Sequence, residues 1–136
     1  ASMATILADK DSVPAELDAL AATPDGSLVL LELKHSQSSS AELTQAPLQL
    51  LQYIWEWHTA LPTLLPQLGD LLAARRVVGL IPAMESLNGR LSAAIVIDDG
   101  SISQIVEERL LSVLKVANDY LPGGVEPIQL VRISVR

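Results

Sequence analysis

The sequence predicts an α/β (α+β) sandwich in which a mixed central β-sheet is flanked by helices. Three observations predict it. Short apolar runs of strand length recur at 28–34 (LVLLELK), 91–97 (LSAAIVI) and 128–135 (IQLVRISV). Two longer stretches, Pro47 to Leu61 and Ile102 to Tyr120, repeat their apolar residues at helical spacing instead. The two kinds of segment alternate along 136 residues, enough for one core, so residues 1–136 are expected to form a single domain.

Composition narrows the class of function. With 49% hydrophobic residues the chain is not disordered, yet no apolar run reaches the roughly 18 residues of a membrane-spanning helix, and no signal peptide is evident. A soluble, cytoplasmic protein with no membrane partner is expected. The absence of cysteine excludes disulfides and thiolate metal sites, and two histidines, His35 and His58, leave little for zinc. The formal charge of −7 arises from 16 acidic and nine basic residues, among which Arg75-Arg76 is the only adjacent cation pair. No basic stripe marks a surface for gripping a nucleic-acid backbone.

In chain order, the native start is expected near Met3, and Ala4 to Ala8 (ATILA) reads as a first strand followed by a polar turn. Thr23-Pro24-Asp25-Gly26 is a type I turn signal, with proline pre-set for the second position and glycine free to go left-handed at the fourth, so the flanking segments form a hairpin with a G1 bulge. His35 to Ser40 is a polar loop. Ser39-Ser40-Ala41-Glu42 is a capping-box pattern, but Pro47 is expected to break the helix near Ala46, leaving a main helix from Pro47 to about Leu61. On it Leu50, Leu51, Ile54, Trp57, His58 and Leu61 form an apolar stripe, with Gln45, Gln49, Gln52, Tyr53 and Glu56 opposite. Trp55 and Trp57 read as packing or interface anchors, because no basic residues interleave with them, and His58 as a histidine at the edge of the core.

Leu61 to Ala74 reads as a second helix with Pro62 and Pro66 at its start, Arg75-Arg76 as cations on its C-terminus, and Val77 to Pro82 as a short buried strand. Asn88-Gly89 marks a turn before the buried strand Leu91 to Ile97. Asp98-Asp99-Gly100 and Ser101 then read as a turn and helix cap rather than a second metal site, since neighbours on a strand point opposite ways. The helix of Ile102 to Tyr120 ends at Pro122-Gly123-Gly124, and Ile128 to Val135 closes the sheet as an edge strand. The expected order is thus strand, strand, strand, helix, helix, strand, strand, helix, strand.

The chemistry gathers on the hairpin. Its turn sets a register in which paired residue numbers sum to 50, so Asp18 faces Glu32 and Glu16 faces Lys34. Alternation puts these four charges on one face and Leu17, Ala19, Val29, Leu31 and Leu33 on the other. Opposed carboxylates repel at this spacing, and Leu28, Leu30, Leu31 and Leu33 read as a strand buried on both faces, where unpaired charge is costly. A hard divalent cation would compensate them, since Mg²⁺ takes one or two carboxylates, keeps several waters and leaves room for a phosphate. Lys34 projects toward the same spot and would position a water or stabilise a developing anion.

An in-strand Asp, the turn, Glu32-Leu33-Lys34 and then Gln49-Leu50-Leu51-Gln52-Tyr53 resemble, in that order, the PD-(D/E)XK nuclease superfamily and the Q-L-x-x-Y helix of its RecB-type members. The resemblance covers about residues 4–82 as a restriction-endonuclease-like core and leaves 83–136 as a strand–helix–strand elaboration. It implies a Mg²⁺- or Mn²⁺-dependent deoxyribonuclease acting on DNA. Asp18, Glu32 and the Leu33 carbonyl would hold the metal, Lys34 would be the catalytic lysine, and Gln49 and Tyr53 would support the site. Asp25, which literally follows a proline, is the rival to Asp18; Glu16 is expected to partner Lys34, and His35 is a further candidate. That family's core begins with a helix for which this sequence leaves no room, so either the chain is truncated or a partner or symmetry mate covers the sheet, and for so apolar a small chain a homodimer is expected. The alternative is a nuclease fold without catalysis, binding nucleic acid or protein.

Overall fold

Gly26 adopts φ +89° and closes the turn, with the Gly26 N–H donating to the Thr23 carbonyl and the Thr23 N–H to the Ser27 carbonyl at 2.9 Å. In this computed structural model, which describes residues 17–34, 38–82, 84–98 and 102–134, the turn joins strands β1 (Ala19–Ala22) and β2 (Leu28–Lys34) as an antiparallel pair. Partners run from Ala19↔Leu31 to Ala22↔Leu28, so the numbers sum to 50 as the turn dictates. Strand β3 (Leu91–Asp98) lies parallel to β2, and β4 (Gln129–Ile133) parallel to β3, giving a four-stranded mixed sheet in the order β1-β2-β3-β4. With helices α1 (Ser40–Val77) and α2 (Gln104–Asn118), the described architecture is α+β. The expected strand at Ala4–Ala8 lies outside the described residues.

Among the described residues, both helices take one side of the sheet. Leu28, Leu30 and Glu32 of β2 and Leu91, Ala93, Ile95 and Ile97 of β3 are the buried residues that share that face. Leu130 packs on the same core, and Arg132, two residues further along β4, pairs with Glu107 of α2. On the opposite face Leu33, Val131 and Ile133 are exposed. Among the described residues β2 is fully buried on one face, while on the other Val29 and Leu31 are half-buried and Leu33 is exposed. Continuous leucine reports apolar surface, not how many layers cover it.

Two helices and a break were expected where one 38-residue helix runs. Ser39 caps it, its hydroxyl accepting from the Glu42 N–H while the Glu42 side chain takes the Ser39 N–H, so the capping box is as read. Pro47, Pro62 and Pro66 all lie inside. One stripe of Leu43, Ala46, Leu50, Ile54, Trp57, Leu61, Leu64 and Leu68 stays buried past each proline, and that burial offsets a penalty of about 3 kcal/mol apiece. Pro62 and Pro66 are exposed, so the carbonyls they leave without a helical donor lie on the solvent side.

The strand expected at Val77–Pro82 is absent. Gly79, at φ +78°, ends α1 in a Schellman motif, with the Gly79 N–H on the Arg76 carbonyl and the Leu80 N–H on the Arg75 carbonyl. Val77, Val78 and Leu80 are exposed there. Helix α2 starts two residues later than expected, with Ser103 as its N-cap, and stops at Asn118 before the Pro-Gly-Gly run. His58 is exposed, edge-on to Trp55, and not part of the core stripe. Trp57 is wholly buried, whereas Trp55 is half-exposed and donates to the Tyr120 carbonyl at 2.9 Å.

Candidate functional site

The β1–β2 ladder ends one pair short of the charges, and that ending builds the site. The Thr23 N–H donates to the Ser27 carbonyl, so alternation makes 21/29 and 19/31 the hydrogen-bonded pairs and 17/33 would be next. Instead the chain bends at Asp18 and turns Leu17 into the core, correcting its expected place on the opposite face. The Leu33 N–H, deprived of its ladder partner, donates to Asp18 Oδ2 at 2.9 Å. Asp18, otherwise exposed, is thus held beside Glu32 in the non-hydrogen-bonded position, where Cβ atoms approach most closely.

Glu32 is the buried charged side chain among the described residues, 6% exposed on the helix-facing side. Its Oε1 meets Lys34 Nζ at 3.3 Å, and its Oε2 has no hydrogen-bond partner among the described residues. Burial pushes the Glu32 carboxyl above the usual range and the Asp18 carboxylate pushes it further, while Lys34 pulls it back. Two acids and one cation therefore converge as the hairpin register requires. The expected Glu16–Lys34 pairing and the candidate His35 lie outside the described residues, and Lys34 is paired with Glu32 itself.

Asp25 belongs elsewhere. It accepts from the Thr23 hydroxyl and the Ser27 N–H, and Arg90 Nη2 lies 3.1 Å from it. The Thr23 hydroxyl above all, with Ser27 and Arg90, holds its pKa below the usual carboxylate value. Asn88 adds a bond to the Asp25 carbonyl, and the Glu85 and Asn88 N–H groups reach Pro24 and Gly26, so loop 84–90 is docked on the turn. Glu32 stands four residues up the strand from Leu28, about 13 Å away. Clefts of about 230 and 330 Å³ open at the turn end too, sharing Leu72 and Met84, and neither is lined by Asp18, Glu32 or Lys34.

Gln49 and Tyr53 stand on α1, one turn apart. Gln49 is exposed, and Tyr53 is half-buried against the core. Neither reaches Glu32 Oε2. Sequence reasoning missed the Leu33 N–H that fixes Asp18, because no pattern marks where a ladder stops. It also missed the Arg132–Glu107 pair, for which the only signal was the position of Arg132 on the core-facing parity of a strand.

Among the described residues no group of three or more His, Cys, Asp or Glu is gathered as a metal cage, and no helix is long and apolar enough to cross a membrane. In comparison with known proteins, no family model matches the chain, and no curated protein or solved structure is significantly similar to it.

Proposed function

We propose that the chain is a divalent-metal-dependent DNA nuclease of the PD-(D/E)XK type, with a restriction-endonuclease-like core. One observation carries the reading: Asp18 and Glu32 converge across the hairpin with Lys34 on Glu32, and Glu32 Oε2 is buried without a partner. A buried carboxylate oxygen left unpaired beside a second carboxylate opposes folding, so an external cation is the natural compensation. The donor set fits Mg²⁺ or Mn²⁺, which accept one or two carboxylates and a carbonyl such as that of Leu33 and keep open positions for water and phosphate. When bound, such an ion supplies polarisation of a phosphoryl oxygen and a more acidic water.

The chain's own residues supply the rest. Asp18 and Glu32 hold opposite sides of the site, and the Leu33 N–H keeps Asp18 turned toward its partner. Lys34 brings an ammonium whose attraction to Glu32 is shared once that carboxylate has another cation, and it then faces the charge that grows on the phosphate as water adds and the ester P–O bond breaks. Gln49, with its exposed amide on α1, is assigned to the substrate's phosphate rather than to Glu32, and Tyr53 to the packing behind it.

A second reading, a nuclease-like fold that binds nucleic acid or protein without cleaving, is favoured by the lack of a third clustered acid among the described residues. The test is calorimetric titration of Mn²⁺ and Mg²⁺ into wild type and an Asp18→Ala/Glu32→Ala double variant, with nicking of plasmid DNA scored in the same tubes. Metal binding and nicking, both lost in the variant, are expected. Metal binding without nicking favours the second reading, and no metal binding by the folded wild type defeats the first. The homodimer is part of the proposal, through the exposed apolar sheet face of Leu33, Val131 and Ile133. Sedimentation equilibrium checks it, and Leu33→Glu should shift any dimer toward monomer.

A further inference from the structure

We propose that Arg132 is a second phosphate contact of the same site, two strands away from Lys34; this rests on the nuclease reading. Strands β2, β3 and β4 run parallel, so their C-terminal ends lie along one edge of the sheet. The register pairs Lys34 with Ile97 and Ile97 with Arg132, placing all three in one row on the helix-facing side. Ile97 is completely buried and forms the apolar floor between two cations. Strands about 4.8 Å apart put the two Cα atoms about 10 Å from each other, the axial rise of about three nucleotides along one DNA strand.

In a chain with nine cations against 16 acids, this row brings two of the nine to one edge of one face. Each is paired with an acid, Lys34 with Glu32 and Arg132 with Glu107 in the first turn of α2. The Arg132 side chain is 40% exposed where that of Lys34 is 13%, so Arg132 meets solvent at the outer end of the row. A guanidinium carries five donors in a planar fork, and can keep Glu107 on one edge while offering another to a phosphate. Glu107 then orients the fork and competes with the substrate for it. A backbone laid across the edge would engage Lys34 at the cleaved phosphate and Arg132 at one further along.

The competing role, a purely structural ion pair, predicts the same sign for loss of either partner. A phosphate contact predicts opposite signs. The experiment measures anisotropy of a short fluorescein-labelled DNA duplex against wild type, Arg132→Gln and Glu107→Gln in Ca²⁺ over a range of salt. Arg132→Gln should weaken binding roughly tenfold, the weight of one charge-assisted contact, and lower the salt slope by about 0.9. Glu107→Gln should tighten binding, because it removes the competition of Glu107 for the guanidinium. It also decides the matter if Arg132→Gln does not fold, since the arginine stays in place. Variants that both bind as wild type does, or both weaken binding, overturn the assignment. Wild type that binds duplex and loses it in Asp18→Ala/Glu32→Ala, with no effect at Arg132, defeats this inference and leaves the nuclease reading standing. Wild type that binds no duplex defeats both.

Discussion

Glu32 carries a carboxylate onto the face of β2 where Leu30, two residues earlier, is completely buried. Its folded pKa lies above the value of about 4.5 that the unfolded chain would show, so the ionised form opposes folding at neutral pH. Stability contributed by its protonation is therefore absent well above the raised value and grows as pH falls, complete once the pH is below the unfolded value. Asp25 acts in the opposite sense: its lowered pKa gives stability present above about 3.8 and lost as pH falls further. Urea unfolding from about pH 7 down to about pH 4.5, the unfolded value, should therefore show wild type gaining stability while Glu32→Gln stays flat. Lys34→Met strips Glu32 of its cation and should cost about 3 kcal/mol near pH 7, and distinctly less near pH 5, where a proton does the same work. Asp18→Ala should lose about 1 kcal/mol with the Leu33 N–H bond, whereas Asp18→Asn keeps an acceptor there and should lose metal binding with little change in thermal unfolding.

At the scale of elements, two glycines with similar backbones give different expectations. Gly79 and Gly26 both have positive φ, but a Cβ at Gly79 meets nothing within 4 Å, whereas one at Gly26 would lie 2.1 Å from the Ser86 carbonyl oxygen. Gly79→Ala should cost only the conformational strain, about 1 kcal/mol, and Gly26→Ala several times that, because the docked loop must move as well. Thermal unfolding of the two variants side by side reads the difference. The same segments show what the sequence could and could not disclose. The hairpin, its register, the meeting of Asp18 with Glu32, the capping box at Ser39 and the strand at 91–98 were legible, because each follows from local turn or cap chemistry or strict alternation. The continuity of α1 was not, because proline penalties are local while the buried stripe that outweighs them is a property of the whole packed helix. The end of α1 was misread for a related reason: Val77 to Pro82 has strand composition, and the decisive residue is Gly79, whose cap bonds outrank propensity. Pro62→Ala and Pro66→Ala restore a backbone donor on the exposed side, and each should raise stability by about 1–2 kcal/mol.

Across the whole molecule, the chemistry and the loop clamp occupy opposite ends of β2. Asp25, Asn88 and Arg90 tie the turn to the loop that feeds β3, while Glu32 and Lys34 stand at the far end next to Ile95 and Ile97. β2 is paired with β3 from Leu28 to Lys34 and with β1 only from Leu28 to Leu31, so position 32 is set by β3 and by the burial of Leu28 and Leu30. What local sequence did not disclose at this scale was the docking of loop 84–90 on the turn, because it joins residues more than 60 positions apart.

The two acids of the site have unequal mechanical footing. Glu32 rides a central strand, while Asp18 hangs just beyond a four-residue strand that is an edge among the described residues, secured by a single amide bond to Leu33. Deuterium should therefore enter the Leu33 amide quickly and the Leu30 amide slowly, and added Mn²⁺ should slow the first far more than the second. One carboxylate then behaves as a fixed anvil and the other as a latch, closing as the cation arrives.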